Sequence, residues 1–384
     1  MGKQTSQEIR STVTEEGYME ISIIESQIPK PKKNEVLVRM EAAPINPSDL
    51  GRLLSHAADL SDIKTAETNQ MNKIKIKLKA NLMTPLKPRL NQPLSLGNEG
   101  AGIVVDAGSE VKGMIGKTVG LAGGGMYCQY KCMPAINCLV MDKQTTPEEA
   151  ASSFVNPMTA LGFIETMKLE GHRALIHTAA SSNLGKMLIK ICKNDSIDLI
   201  NIVRDAQQIA FLNSIGAKFV FSTSEVNFED NLVASIKETG ATLAFDATGG
   251  GNEGRLAGQI LSAMERAILS SNEEYQIYGS NTHKQVYIYG GLDRSPTILN
   301  RSYGMSWSVG GWLLMPMINK FGMKKLQQMR ERVAAEIKTT FASSYCKSIS
   351  FEEALKPDII RSYATQTTGK KYLIMPHKLS LIHI

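Results

Sequence analysis

The feature that most constrains the fold is a regular alternation of short apolar segments and longer amphipathic segments between residues 174 and 290. The apolar segments, such as ALIHTA, LINIV and KFVFS, have the length and the β-branched residues typical of strands. The segments between them, such as SNLGKMLIKICKND, have helical periodicity. Strands that alternate with helices at this spacing predict a parallel, doubly wound α/β sheet.

The sequence before this region has a different texture, because glycines punctuate short strands such as LGNEGAGIVVDAG and KTVGLAGGGMYCQY. Closely spaced turns between short strands are typical of a compact β-barrel. A chain of 384 residues is also too long for one ordinary core. We therefore predict a barrel domain over residues 1–152 with an insertion at about 51–93, a nucleotide-binding domain over 153–304, and a return to the first domain over 305–376.

The last six residues, LSLIHI, correspond to the translation of the transposase recognition sequence that is used to prepare sequencing libraries. We therefore expect residues 377–384 to be an adapter-derived tail, and we exclude them from reasoning about the fold. His383, which lies in this tail, is accordingly not considered as a metal ligand.

Composition excludes several classes of function. The net charge of +6 is a modest excess that suits an anionic cofactor or substrate and does not indicate nucleic acid. No apolar run approaches the roughly 18 residues that a membrane span needs. The five cysteines are scattered and odd in number, which indicates reduced thiols and a cytoplasmic location. Three of them lie close together, but they have no fourth ligand at a zinc-ribbon spacing, so we expect them to be packed.

Within the insertion, lysines alternate with apolar residues from Lys73 to Lys79. This alternation predicts a strand with one basic face and one apolar face. Most such basic faces are simply solvated, although a contact with a phosphate of the cofactor or substrate is an alternative. Binding of nucleic acid would be strongly dependent on salt, and we expect none.

The segment AASSNLG joins the first strand of the alternating region to its helix, which is the position of a dinucleotide-binding fingerprint. Such a turn needs small residues for the tight bend and for close approach to a pyrophosphate, and Ser181 and Ser182 are small enough. Gly185 suits the close packing of the helix. Asn183 occupies the place of the middle glycine, where asparagine tolerates a positive φ better than most residues. The amides of this helix N-terminus would hold phosphates.

The second strand, LINIV, is followed by Arg204 and Asp205. An acidic residue at this place binds the ribose hydroxyls of NADH, whereas a guanidinium suits the 2′-phosphate of NADPH. We favour NADPH; in the alternative, Arg204 is solvated and Asp205 selects NADH. Further glycines, at 249 and 290–291, follow later strands, where ligands of α/β sheets bind. They would let the nicotinamide half approach the backbone, or they are ordinary tight turns.

The segments APINPSD, GNEG, GGGMYCQY, NPMTA, AASSNLG, NIVRD, YGG and GGWLL occur in this order along the chain. As a set they resemble the zinc-free medium-chain dehydrogenase/reductases, which include the quinone oxidoreductases and the mitochondrial-type trans-2-enoyl-thioester reductases. The resemblance spans most of residues 18–376. It implies a GroES-like domain interrupted by a Rossmann domain, and hydride transfer from NADPH to an activated double bond.

The resemblance also implies roles for individual residues by position. Asn46 and Thr159 would line the nicotinamide, and Trp312 would lie on a loop that borders the substrate. The other cofactor contacts would come from Ser181, Ser182, Asn183, Leu184 and Gly185 at the pyrophosphate turn, Arg204 at the 2′-phosphate, and Gly249, Gly290, Gly291 and Leu292 near the nicotinamide.

Two departures from the family leave the chemistry open. Asn46 lies in the segment where alcohol dehydrogenase relatives place a zinc-binding cysteine, so we expect no metal. The tyrosine that enoyl reductases carry shortly after APINPSD is absent, so the resemblance assigns no proton donor. Tyr127, His56 and Tyr303 are candidates, although Tyr127 also suits a packed aromatic and His56 a surface loop. We expect Glu99, in GNEG, to bind backbone.

Two further polar side chains lie near the nucleotide-binding motifs. His177 precedes the phosphate turn within a strand and is expected to be a satisfied core histidine. Lys284, with the histidine before it, belongs to an exposed loop or contacts an anionic group of the substrate.

The leading hypothesis is therefore an NADPH-dependent reductase of enoyl or other α,β-unsaturated carbonyl substrates. An NADPH:quinone reductase and a non-catalytic nucleotide-binding relative are the alternatives. We expect a small-molecule substrate, and neither nucleic acid nor membrane as a partner. We also expect a homodimer, in which the strand QVYIYGG lies at a sheet edge and pairs across a two-fold axis.

Overall fold

The computed structural model describes residues 5–56, 58–65, 72–271 and 275–379. The chain divides into two compact units, Met1–Val155 with Arg330–Ile384, and Asn156–Met329. Within the described ranges, no helix has both the length and the apolar character needed to cross a membrane.

The first unit is built mainly from strands. Its elements are β1 (Thr5–Val13), β2 (Tyr18–Gln27), β3 (Glu35–Pro44), α1 (Pro47–Leu53), β4 (Ala58–Thr65), β5 (Lys73–Leu78), β6 (Leu94–Ser95), β7 (Glu99–Ala107), β8 (Thr118–Ala122), β9 (Tyr130–Pro134), β10 (Leu139–Val140) and α2 (Pro147–Ala150), and, near the end of the chain, β17 (Lys347–Ile349), α10 (Phe351–Ala354), α11 (Pro357–Ala364) and β18 (Tyr372–Ile374). One sheet has the strand order β4-β5-β2-β1-β6, and the other has the order β10-β8-β7-β3-β18-β17 with β9 also paired to β3.

The predicted insertion contributes strands to the first of these sheets. β5 pairs with both β2 and β4, and its side chains alternate as predicted. Ile74, Ile76 and Leu78 are buried in the core of the unit. The lysines face the other side, where Lys73 forms an ion pair with Glu20 at 2.7 Å. The predicted strand with one basic and one apolar face is therefore confirmed.

The second unit alternates strands and helices. Its elements are α3 (Val155–Leu169), β11 (Leu175–Thr178), α4 (Asn183–Asn194), β12 (Leu199–Val203), α5 (Ala206–Ser214), β13 (Phe219–Ser222), α6 (Phe228–Thr239), β14 (Leu243–Asp246), α7 (Leu256–Leu269), β15 (Lys284–Ile288), β16 (Trp307–Gly311), α8 (Leu314–Phe321) and α9 (Met323–Ala335). The strands are parallel in the order β13-β12-β11-β14-β15-β16. The predicted doubly wound sheet is therefore confirmed.

Two details of the second unit differ from the sequence-based expectations. The strand in QVYIYGG, β15, is internal, because it pairs with β14 on one side and β16 on the other. The edge of the sheet is instead β16, whose residues lie in the region assigned from the sequence to the returning domain. Because this strand is rich in glycine, its sequence lacks the side-chain alternation that predicts a strand. The second compact unit extends to Met329.

The end of the chain includes part of the predicted adapter-derived tail. Residues 380–384 lie outside the described residues. Before them, the Lys378 ammonium lies 3.0 Å from the Glu353 carboxylate, and the ring of His377 contacts that of Tyr130 edge-on. The origin of the tail remains a prediction from its sequence.

Candidate functional site

The strand order of the second unit reverses between β11 and β14, where ligands of such sheets bind outside the carboxyl ends of the strands. Hydrogen bonds connect the two strand ends at this point. Thr178 Oγ1 donates to Asp246 Oδ1 at 2.7 Å and accepts from the amide of Ala247 at 2.8 Å. The buried Asp246 also accepts from the amides of Thr248 and Gly249. Sequence reasoning missed this pair, whose only signal was a polar residue at the end of each strand.

The turn after β11 has the geometry of a phosphate-binding loop. Ser182 is the N-cap of α4, and its hydroxyl accepts the amide of Gly185 at 3.1 Å. A side chain at Gly185 would overlap the carbonyl oxygen of Ala180, so glycine is needed for the helix to pack against the turn. The positive φ, however, lies at Ala179 (+49°), whereas Asn183 is the first helical residue. The suitability of Asn183 for a positive φ is thus not used, because the chain bends four residues earlier.

The end of β12 presents a cation to solvent. Arg204 is exposed, and its guanidinium forms no hydrogen bond or ion pair with any other described residue. Asp205, by contrast, caps α5 by accepting the amide of Gln208 at 2.9 Å. The carboxylate that would select NADH is thus engaged with the helix, while the guanidinium is available.

Glycines occupy the next two strand ends. Gly249 has a φ of +75°, which favours glycine. A Cβ at Gly290 would lie 2.5 Å from the carbonyl oxygen of Ala247, whereas one at Gly291 would meet nothing within 4 Å. Gly291 and the following Leu292 are exposed. The backbone at Gly291, after the carboxyl end of β15, is therefore exposed beside the turn after β14.

Trp312 follows β16 and is buried rather than displayed on a loop. Its indole Nε1 donates to Thr166 Oγ1 at 3.0 Å, and its ring contacts Phe163 edge-on. Thr159, on the same helix as Phe163, is half-buried. Trp312 nevertheless contributes to the wall of a pocket of about 320 Å³, which is lined by Tyr287, Ile288, Gly311, Trp312, Leu313, Pro316, Met317 and Lys320.

Two predictions for this unit need correction. His177 is fully buried and its Nε2 shares a hydrogen bond with the Tyr289 hydroxyl at 2.8 Å, but no residue that the structure describes bonds to its Nδ1, so the ring is only half satisfied. Burial lowers the pKa of His177 to about 3. Lys284 does not face a substrate, because it is fully buried and forms an ion pair with Glu265 at 2.7 Å.

In the first unit, Asn46 and Glu99 belong to a buried polar cluster after β3. The Glu99 carboxylate accepts from Asn46 Nδ2 at 2.9 Å and from the amides of Phe154 and Val155 at 2.8 Å each. The prediction that Glu99 binds backbone is confirmed. Asn46 is 1% exposed, and its Oδ1 has no hydrogen-bond partner among the described residues. A buried carbonyl without a donor is costly, so Asn46 is suited to accept from a ligand.

Asp49 and Tyr127 extend this cluster. Asp49 accepts the amides of Asn46 and Asn98 at 2.8 Å each, and burial raises the pKa of Asp49 to about 7. Tyr127 is 1% exposed and donates its hydroxyl to the Pro44 carbonyl at 3.1 Å. Burial also raises the pKa of Tyr127 well above its ordinary value. The phenol is therefore packed and weakly acidic.

The other two donor candidates lie in different surroundings. His56 follows α1 and is exposed. Tyr303 is fully buried in the second unit, where its ring contacts that of Trp307. Of the three candidate proton donors, only His56 has an exposed side chain.

The cysteines lack the properties of metal ligands. All five lie in the described part of the chain, and none forms a disulfide bond. Burial raises the pKa of Cys128 to about 12 and the pKa values of Cys132 and Cys138 to about 11, which disfavours the thiolate that zinc binds. In the described part of the chain, no three His, Cys, Asp or Glu side chains are grouped as a metal site would require.

Comparison with known proteins agrees with this architecture. Residues 32–143 match the alcohol dehydrogenase GroES-like domain family. The mitochondrial enoyl-[acyl-carrier-protein] reductase of Arabidopsis thaliana is 29% identical over 229 residues, which cover 57% of this chain and 53% of that protein. The chain thus spans about half the length of this curated relative.

Solved structures share the fold over nearly the whole chain. A putative NADPH:quinone reductase from Mesorhizobium loti has a TM-score of 0.69 at 23% identity, covering 98% of this chain and 99% of that one. The complex of Etr1p with NADP and crotonyl-CoA has a TM-score of 0.63 at 18% identity, covering 97% and 100%. With its GroES-like region and its parallel sheet, the chain has the fold of the medium-chain dehydrogenase/reductases and is similar to these relatives.

Proposed function

We propose that the chain is an oxidoreductase that transfers a hydride from NADPH to the double bond of an enoyl thioester or another α,β-unsaturated carbonyl compound, without zinc. The observation that carries the proposal is that two features lie at the carboxyl ends of the neighbouring strands β11 and β12. One is the turn after β11, which requires glycine at position 185, and the other is Arg204, whose guanidinium is unpaired among the described residues. The curated relatives are named as enoyl reductases. One of the structural neighbours is a complex with NADP.

The residues of the second unit suit a dinucleotide. The N-terminus of α4, capped by Ser182, would hold the pyrophosphate through backbone amides and the helix dipole. Arg204 would bind the 2′-phosphate through paired, charge-assisted hydrogen bonds. Gly290 and Gly291 would leave room for the nicotinamide ring against the backbone. When bound, NADPH supplies the hydride, and the protein supplies orientation.

The pocket beside Trp312 supports an extended apolar acceptor. Ile288, Leu313 and Met317 provide apolar walls, and Lys320 places a cation at its lining. An acyl chain fits such a pocket. Tyr287 and Trp312 also contribute aromatic rings, which would stack on the flat ring of a quinone, so a quinone is the alternative acceptor.

The residue chemistry supports a reaction without zinc. Asn46 supplies a neutral amide where a thiolate would be needed, and burial raises the pKa values of Cys128 and Cys138 in the same unit. For the proton, we favour the exposed imidazole of His56 over the buried phenol of Tyr127, since the acid must reach the substrate. We propose a cytoplasmic protein from its free thiols, although the matched relatives are named as mitochondrial.

The test is a titration of the full chain with NADPH and with NADH, followed by nicotinamide fluorescence. Arg204→Ala should weaken NADPH binding at least tenfold and leave NADH binding within about twofold, since only NADPH carries the 2′-phosphate. Arg255→Ala is the matched control, because Arg255 is an exposed arginine of the same unit that is paired with Glu253.

Turnover is then followed at the absorbance of the reduced nicotinamide, with a crotonyl thioester and with a small quinone as acceptors. Oxidation by the thioester supports the enoyl reductase, and oxidation by the quinone alone supports the alternative. Tight binding without turnover on either acceptor would indicate a non-catalytic nucleotide-binding protein. Binding of neither nucleotide would contradict the proposal as a whole.

A further inference from the structure

The turn between β8 and β9 is made of three glycines that expose main chain rather than side chains. Gly123, Gly124 and Gly125 have φ angles of +116°, +96° and +73°, which residues with a Cβ rarely adopt. A Cβ at Gly123 would have no heavy atom within 4 Å, so this end of the turn is open. None of the motifs assigned to the nucleotide includes this turn.

Two cations approach the same turn from different elements of the first unit. A Cβ at Gly124 would lie 3.6 Å from Nη1 of Arg52, which is on α1. A Cβ at Gly125 would lie 2.8 Å from Nζ of Lys131, which is on β9. Lys131 also donates to the carbonyl oxygen of Gly124 at 3.1 Å. The turn therefore lies against a guanidinium and an ammonium.

Neither cation is neutralised by a carboxylate. Within the described ranges, Arg52 and Lys131 form no ion pair. Glu8 reaches Ser95 nearby, but it is paired with Arg10 at 2.6 Å. A third cation adds to the positive charge near Arg52, because the Arg89 guanidinium donates to the backbone carbonyl of Arg52 at 3.0 Å. Burial, followed by the positive charge of Arg52, lowers the pKa of Arg89.

The turn also has amides without acceptors. The amide of Gly123 donates to the Asn98 carbonyl at 3.2 Å, whereas those of Gly124 and Gly125 donate to no other described residue. Gly125 is buried. Backbone amides without an acceptor are rare in buried residues of folded proteins, so the Gly125 amide is suited to an acceptor from outside the chain. Such donors beside two cations form an anion-binding concavity.

We propose that the glycine turn, with Arg52 and Lys131, binds a phosphate ester at the end of the pantetheine arm of a thioester substrate. The inference rests on the proposed function, since that reaction gives the chain a thioester to bind. A phosphate dianion matches two cations, accepts paired hydrogen bonds from a guanidinium and has further oxygens for the backbone amides. The site thus selects substrates by their carrier rather than by their acyl chain.

The experiment is isothermal titration of the full chain with pantetheine 4′-phosphate and with pantetheine, which differ only in the phosphate. The phosphorylated compound should bind at least tenfold more tightly. This preference should be lost in the double variant Arg52→Gln/Lys131→Gln. Lys77→Gln is the control, because it removes an exposed charge from β5 in the same unit. Thermal unfolding of each variant checks that it is folded.

Equal affinity for the two compounds would overturn the proposal. The proposal would also be overturned if the double variant lost affinity for NADPH by the same factor as it lost the preference for the phosphorylated compound. Arg52 and Lys131 would then bind the cofactor. The titration needs no turnover, so it remains informative if the chain proves not to be a reductase.

The source of the phosphate is distinguished by kinetics on two thioesters of the same acyl group. Equal KM values for crotonyl-CoA and crotonyl-phosphopantetheine would assign the site to the phosphate of the pantetheine arm, as on a carrier protein. A KM that is at least tenfold lower for crotonyl-CoA would mean that the adenosine phosphates dominate and would overturn that assignment.

Discussion

Asp49 illustrates how burial changes the chemistry of a single side chain. The sequence places it at the end of a segment that resembles a family motif, where it reads as one polar residue of α1. In the structure it is 2% exposed and accepts two backbone amides, and burial raises the pKa of its carboxyl to about 7. A burial-raised pKa makes the free energy of unfolding depend on pH.

The folded state should therefore lose stability as pH rises from about 4 to about 7. Over this range Asp49 is protonated in the folded chain and ionised in the unfolded one, so the folded state binds more protons and its stability falls with pH. In Asp49→Asn this contribution should vanish. Urea unfolding across the range measures it, and a difference between the two proteins that does not vary with pH would contradict the assignment.

At the scale of elements, a buried ion pair joins α7 to the first residue of β15. Lys284 begins β15, and Glu265 lies on α7. Besides the ion pair, the Glu265 carboxylate accepts the amide and the hydroxyl of Ser280, and Lys284 donates to the carbonyl of Thr282. The ion pair and these hydrogen bonds position the start of β15, which is the strand that Gly290 and Gly291 follow.

Lys284→Met should destabilise the folded chain by about 3–5 kcal/mol, because it leaves the Glu265 carboxylate buried without its cation. The double variant Lys284→Met/Glu265→Leu should recover much of this loss, since an apolar pair of similar volume replaces the charges. Urea unfolding of the three proteins measures both values. A loss of less than about 1 kcal/mol in the single variant would show that the pair behaves like an exposed one.

At the scale of the whole molecule, β16 is an edge strand of the parallel sheet among the described residues. β16 pairs with β15 on one side only, and its exposed neighbours include Met305 and Leu313. An edge strand with unpaired backbone groups and apolar neighbours favours association with a second copy. The homodimer expected from the sequence is therefore proposed through β16 instead of the internal β15.

Light scattering should give twice the chain mass of 42.0 kDa. Leu313→Glu should shift the protein to the monomer, because it places a charge beside the edge strand. Val226→Glu is the matched control, since Val226 is exposed and follows β13, at the opposite edge of the sheet. A monomeric wild-type protein at micromolar concentration, or dissociation by both variants alike, would argue against this interface.

Periodicity in the sequence was sufficient to predict the alternating strands and helices between residues 174 and 290 and their parallel sheet, because alternation at two residues or at 3.6 residues reflects which face is buried. It also located Arg204 and the turn that is proposed to bind phosphate, since small residues and a cation at strand ends are local signals. The glycine-rich β16 was missed, because a strand with few large side chains has little periodicity.

The sequence by itself thus determined the fold class and the positions of the loops that are proposed to bind the cofactor. Only the tertiary structure decided which polar groups are paired. It buried Tyr127, Tyr303 and Lys284, joined Thr178 to Asp246, and brought Arg52 and Lys131 to one glycine turn. These pairings connect residues far apart in the chain, and their proximity depends on how strands pair and helices pack, which no local pattern encodes.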